Sequence, residues 1–141
     1  MSKPTIYLAG KMSGLDFDTM NNWRQRARLL LNLKSDKPLN IINPVDYYNF
    51  EMDRSTYTDK EVKSFDLWAV KRSDLILVEL DNPDSIGTAI EIHMAHDEWR
   101  IPVIGFGNGD IHPWMKLCLT KHCETLEEAV QHIVDFYLPN M

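Results

Sequence analysis

The sequence predicts an α/β protein, a three-layer flavodoxin-like sandwich built on a central parallel sheet of four or five strands. Three observations lead there. Short β-rich runs alternate with helix-patterned segments along the whole chain. The run Asp74-Leu75-Ile76-Leu77-Val78-Glu79-Leu80 is nearly continuously apolar, as a strand covered on both faces must be. The chain has 141 residues, 44% hydrophobic and 26% charged, which suits one core of ordinary composition. A single domain spanning residues 1–141 is therefore expected.

Thr5 to Ala9 is β-rich and runs into Gly10 and Gly14, which marks a buried first strand entering a tight turn. Asp16 is placed to cap the next segment, where Phe17, Met20, Trp23, Ala27, Leu30 and Leu31 recur at helical spacing. Leu39 to Ile42 reads as a short strand closed by Asn43-Pro44. The tyrosine-rich stretch from Val45 to Tyr57 reads as a loop holding at most a helical turn. Thr58 and Glu61 form a capping box that opens a second helix running to about Arg72, with Asp66 inside it. Asp74 to Leu80 is the central strand. Turn chemistry from Asp81 to Thr88 leads into a helix over about Thr88 to Glu98. Ile101 to Phe106 makes a fourth strand, and Pro113 to Leu119 a short helix. Thr125 and Glu128 open a last helix with Leu126, Ala129, Val130, Ile133, Val134 and Tyr137 on its apolar side.

Composition narrows the function. Fifteen Lys+Arg against twenty-one Asp+Glu leave a net charge of −6, and no basic block offsets it, so a nucleic-acid polymer is not an expected partner. No apolar run reaches the roughly 18 residues a membrane span requires, and the amino terminus lacks a secretory pattern, so a cytoplasmic protein that binds no membrane is expected. Cys118 and Cys123 suggest reduced thiols rather than a disulfide framework. His93 and His96 on one helix, and Cys118, His122 and Cys123 further on, raise the question of a metal. Their spacings fit no zinc pattern and no third ligand is evident near the histidine pair, so neither metal nor cofactor is expected.

For strand order 2-1-3-4-5, ligands bind beyond the carboxyl ends of the first and third strands. Two loops meet there. Gly10-Lys11-Met12-Ser13-Gly14 offers backbone amides and one cation, in a spacing that matches neither the dinucleotide fingerprint nor the P-loop. Asp81 to Thr88 opens a helix with Glu91 expected in its first turn, where the macrodipole favours a carboxylate and lowers its pKa. Asp66 stands on the preceding helix, so titratable groups converge on one crevice.

Taken in order, Ile6-Tyr7-Leu8-Ala9-Gly10, Asp66 followed by Ser73-Asp74-Leu75-Ile76-Leu77-Val78, Ser85-Ile86-Gly87-Thr88-Ala89-Ile90-Glu91 with Ala95, and Pro102-Val103-Ile104 resemble the nucleoside 2-deoxyribosyltransferases and the related nucleoside 5′-monophosphate N-glycosidases. The resemblance covers roughly residues 5 to 106 and extends loosely to Pro113-Trp114-Met115. It implies that Glu91 is a nucleophile attacking the anomeric carbon of a pentose, that Asp66 is the acid assisting the leaving base, and that Tyr7 orients Glu91. Gly10, Lys11, Met12, Ser13, Ser85, Gly87, Trp114 and Met115 are the expected substrate-binding residues: Gly10, Ser85 and Gly87 shape the sugar and 5′ end, Lys11 and Ser13 complete a cradle for a 5′-phosphate, and Trp114 is the tryptophan best placed to stack on the base.

Ser85 stands where many of the transferases carry aspartate and where the monophosphate hydrolases carry serine, which admits a 5′-phosphate. His93 also departs from the family's usual small residue. The implied partners are a small nucleoside or nucleotide, a free base, and further copies of the chain in a homodimer or higher oligomer. Deoxyribosyl transfer leads, hydrolysis of 5′-monophosphates is the alternative, and a non-catalytic nucleotide-binding module is the rival from another class.

Overall fold

A computed structural model describes residues 3–48 and 57–141. Its centre is a five-stranded, all-parallel sheet in the order β2-β1-β3-β4-β5. The strands are β1 (Thr5–Ala9), β2 (Asn40–Ile42), β3 (Leu75–Glu79), β4 (Val103–Phe106) and β5 (Lys121–Cys123). The helices are α1 (Phe17–Lys34), α2 (Asp59–Lys71), α3 (Ile86–His93), α4 (Pro113–Lys116) and α5 (Leu126–His132). The expected class, layering and strand order all hold, and β5 completes the sheet at a segment that the sequence reading did not identify as a strand.

Side-chain alternation along the strands divides the core between two faces. Ile6, Leu8, Leu75 and Leu77 point to one face and pack with Ala27 and Leu31 of α1 and with Leu126, Ala129 and Val130 of α5. Tyr7, Ala9, Ile76 and Val78 point to the other, against Ala69 and Val70 of α2, Ile92 of α3 and Met115 of α4. Because both faces of β1 and β3 are covered, their sequences are apolar throughout rather than alternating.

The capping residues are those their side chains suggest. Asp16 accepts from the Thr19 amide, Thr58 and Glu61 exchange both bonds of a capping box, and Thr125 accepts from the Glu128 amide. Pro44–Asp46 forms a single 3₁₀ turn in the tyrosine-rich stretch, of which residues 49–56 lie outside the described residues.

Of the boundaries that differ from expectation, one bears on the crevice. Helix α3 starts at Ile86, two residues early, because the Ser85 side chain accepts from the Thr88 amide and acts as N-cap. The same helix relaxes into a π-helical turn over Met94–Glu98 and ends with Arg100 in the left-handed region at φ 56°. Among the described residues no helix is long and apolar enough to cross a membrane.

Candidate active site

Strand β1 leads to α1 on one face of the sheet and β3 leads to α3 on the other, so their outgoing loops diverge and leave a crevice at the carboxyl ends. A cavity of about 410 Å3 occupies it, a size suited to a small ligand. Gly10, Met12, Ser13, Ser85, Gly87, Asp66 and Glu91 all line this cavity, together with Met20, Tyr48, Tyr57, Val62 and Thr88. Two loops and two helices separated by up to about eighty residues in sequence thus converge, as the switch-point argument expects.

Glu91 is in the second turn of α3, a consequence of the earlier helix start. The expected lowering of its pKa by the helix terminus is therefore corrected. Burial raises the carboxyl from 4.5 to about 7, opposed by the hydrogen bond from Tyr7, while the Asp66 charge adds to the rise and Arg24 offsets part of it. Tyr7 reaches it because odd positions of β1 face α2 and α3. Its hydroxyl donates to Glu91 Oε2, and the phenol, 1% exposed, is pushed well above its ordinary pKa by burial and then by the neighbouring carboxylate. Tyr7 is both a core residue and a fixed donor to Glu91.

Asp66, halfway along α2, accepts a 2.7 Å hydrogen bond from the Tyr48 hydroxyl. Burial raises its pKa, while that bond and Arg24 oppose the rise. Asp66 and Glu91 share a second, smaller cavity of about 180 Å3 as well as the main one, so the two carboxyl groups face common space. A like-charge pair of this kind holds a proton at neutral pH more readily than either group would alone.

The loop Gly10 to Gly14 is shaped by close packing. A Cβ on Gly10 would stand 2.9 Å from Trp23 Cζ2, and Gly14 has φ +82°, so the turn needs glycine at both ends for different reasons. Lys11 does not line the cavity. Its ammonium is 2.7 Å from Asp84 Oδ2, tying the two loops across the crevice and lowering the Asp84 pKa through that hydrogen bond. Trp114, 78% exposed on α4, and Met115, buried against the α2–α3 side of the core, do not line the cavity among the described residues.

Sequence reasoning missed Arg24. It is 1% exposed, with Nη1 donating to Met20 O at 2.8 Å and Nη2 to Gly10 O at 3.0 Å, and its guanidinium lies 4.8 Å over the Trp23 ring. It is a buried cation whose charge reaches Tyr7, Glu91, Glu79 and Asp66. The available signal was a charge on the apolar stripe of α1, between Met20 and Ala27 at spacings of four and three. Also missed was a neighbouring cavity of about 630 Å3 lined by Tyr47, Tyr48, Tyr57, Phe65 and Trp68, which shares Tyr48, Tyr57 and Val62 with the main cavity.

No protein-family model matches the chain, and no curated protein matches it. Solved structures do. A conserved protein from Enterococcus faecalis V583 superposes with a TM-score of 0.74 at 21% identity, covering 94% of this chain and 98% of that one. A 2-deoxyribosyltransferase from Bacillus psychrosaccharolyticus gives 0.69 at 19% identity over 96% and 94%. A 2-desoxiribosyltransferase from Leishmania mexicana gives 0.57 at 14% identity over 96% and 99%. The chain has the fold of these 2-deoxyribosyltransferases along nearly its whole length.

Proposed function

We propose that this chain, having the deoxyribosyltransferase fold, cleaves the N-glycosidic bond of a small deoxynucleoside and passes the sugar to another base. The observation that carries the reading is the Glu91 carboxyl, held by Tyr7 and facing the same switch-point cavity as Asp66.

In the first step a Glu91 oxygen attacks the anomeric carbon. The C–N bond breaks, its electron pair leaves with the base, and Asp66 delivers a proton to the departing ring nitrogen or to an exocyclic oxygen conjugated with it. A glycosyl ester on Glu91 remains. In the second step an incoming base attacks the same carbon, its proton passes to Asp66, and Glu91 leaves as carboxylate, so configuration is retained overall. The two carboxyl groups share a proton at neutral pH in the free site, because burial raises both and the Asp66 charge adds to the rise at Glu91. The reaction needs that proton on Asp66, which leaves Glu91 as the nucleophilic carboxylate and arms both groups together.

A second reading, hydrolysis of a deoxynucleoside 5′-monophosphate, is favoured by one observation. The α3 amino terminus carries Ser85, whose hydroxyl proton is free to donate while its oxygen accepts from Thr88, and Thr88 Oγ1 is buried beside the cavity with no hydrogen-bond partner among the described residues. The pairing of Lys11 with Asp84 counts the other way, because it leaves that cation already matched.

Incubation with deoxynucleosides and their 5′-monophosphates, with and without an acceptor base, followed by chromatography of free base, tests both. Base exchange supports transfer, base release from monophosphate alone supports hydrolysis, and binding with neither leaves a nucleotide-binding module. Assembly of the chain with its own copies belongs to the same reading and is supported by the exposure of Trp114 and Leu117 around α4. Sedimentation velocity tests it.

A further inference from the structure

Tertiary structure brings to His93 two further donors that its spacing from His96 did not reveal. His93 is the last residue of α3, Asp97 lies in the π-helical turn that follows, and Cys118 comes just after α4. His93 Nδ1 stands 3.2 Å from Asp97 Oδ2, and the Cys118 sulfur joins them so that all three donor atoms lie within 4.8 Å of one another. We propose that His93, Asp97 and Cys118 bind one zinc-class divalent ion, with a fourth coordination position open to solvent.

The chemistry of the set selects the ion. One imidazole nitrogen, one thiolate and one carboxylate oxygen suit a borderline-soft metal such as Zn2+ or Co2+ and are wrong for Mg2+ or Ca2+, which take oxygen ligands. Bonds of about 2.0–2.3 Å in a tetrahedral arrangement require donors roughly 3.3–3.8 Å apart. The His93–Asp97 pair, at 3.2 Å, is within about 0.1 Å of that spacing, and closure onto the sulfur needs side-chain rotations that move the donors by about 1 Å. His93 and Asp97 are exposed while Cys118 is buried, so the site has an entry path and an anchored floor.

An outer partner is also in place. His96 Nδ1 lies 2.6 Å from Asp97 Oδ1, leaving the other carboxylate oxygen toward His93. Binding converts the Cys118 thiol to a metal-bound thiolate, and its proton goes to solvent. His93 follows Glu91 by two residues, roughly 200° around the helix, so the ion would sit on the far side of α3 from the cavity and join that helix to α4.

The test uses the full chain, metal-free, titrated with Co2+ and then with Zn2+ against a chromophoric chelator. Expected are one equivalent bound, tetrahedral visible bands and a thiolate-to-cobalt charge-transfer band. Cys118→Ser should remove that band, and both Cys118→Ser and His93→Gln should weaken zinc binding by on the order of 100-fold. His122→Gln, whose ring lies 2.6 Å from Gly107 O on another part of the chain, should bind zinc as the parent does. Absence of stoichiometric binding, cobalt bound without the thiolate band, or unchanged zinc affinity in His93→Gln would overturn the proposal. His93 is exposed, so that variant folds and decides the matter if Cys118→Ser does not fold.

Discussion

At the scale of single residues, the site places a carboxyl where water would otherwise stabilise its charge. Glu91 has a pKa of about 7 in the folded chain against 4.5 for the free group, so the folded state binds a proton more tightly than the unfolded chain. Its contribution to stability is therefore full below pH 4.5 and is lost as pH rises through 7, a penalty on the order of 3 kcal/mol once ionised. Glu91→Gln keeps an acceptor for the Tyr7 hydroxyl and removes the charge. Thermal melts should show the variant more stable than the parent at pH 8, with the difference gone by about pH 4. Base release or exchange by the same variant should fall on the order of 10³-fold or more. In the parent, the rate should fall about tenfold per pH unit as pH rises above about 7, as the pair loses the proton that Asp66 must deliver to the base. Stability and activity then fall together with one ionisation, a pattern that a passive surface glutamate would not produce.

At the scale of elements, α3 carries two local decisions with separable consequences. Its N-cap is Ser85, and Ser85→Ala should cost about 1 kcal/mol in denaturant unfolding by orphaning the Thr88 amide. Ser85→Asp caps equally well but sets a negative charge at the mouth of the cavity. Unfolding should then be unchanged within about 0.5 kcal/mol, whereas affinity for a 5′-monophosphate should fall relative to that for the nucleoside. Equal loss for both ligands would place the phosphate elsewhere. Beyond the π-helical turn, Arg100 occupies the left-handed region at φ 56°, a conformation glycine adopts without a Cβ clash. Arg100→Gly should leave stability unchanged or raise it by up to about 1 kcal/mol, read from the same denaturation midpoint.

At the scale of the whole molecule, the parallel sheet is the rigid frame that holds the two carboxyl groups over one cavity. β1 and β3 are paired from Ile6 opposite Leu75 to Ala9 opposite Val78, which sets the height of Tyr7 relative to α3. Leu77, fully buried in the central strand, belongs to the α1–α5 side of the core. Leu77→Ala should cost about 2–5 kcal/mol in unfolding free energy, a large part of the roughly 5–15 kcal/mol a domain possesses. The loss should appear in the unfolding midpoint before it appears in ligand affinity at low temperature, because Leu77 faces away from Tyr7 and Glu91.

What could be read from residues alone follows from the range of the forces involved. Periodicity, caps and continuous apolar runs are local properties, so Thr5–Ala9, the Asp16 and Thr58 caps, the buried central strand and the sheet order were legible, and with the order came the crevice and the convergence of Gly10, Ser85, Asp66 and Glu91 upon it. Long-range placement was not. A two-residue shift in the start of α3 moved Glu91 out of the first turn, and burial then reversed the sign expected for its pKa. The burial of Arg24 depends on the packing of α1 against the Gly10 turn, which encloses it. Trp114 lies exposed on α4, and Cys118 comes beside His93 from the chain that follows β4. Each of these depends on which side chains share one desolvated volume, and that is decided only when the layers close, because desolvation and Coulomb energies act through space rather than along the chain.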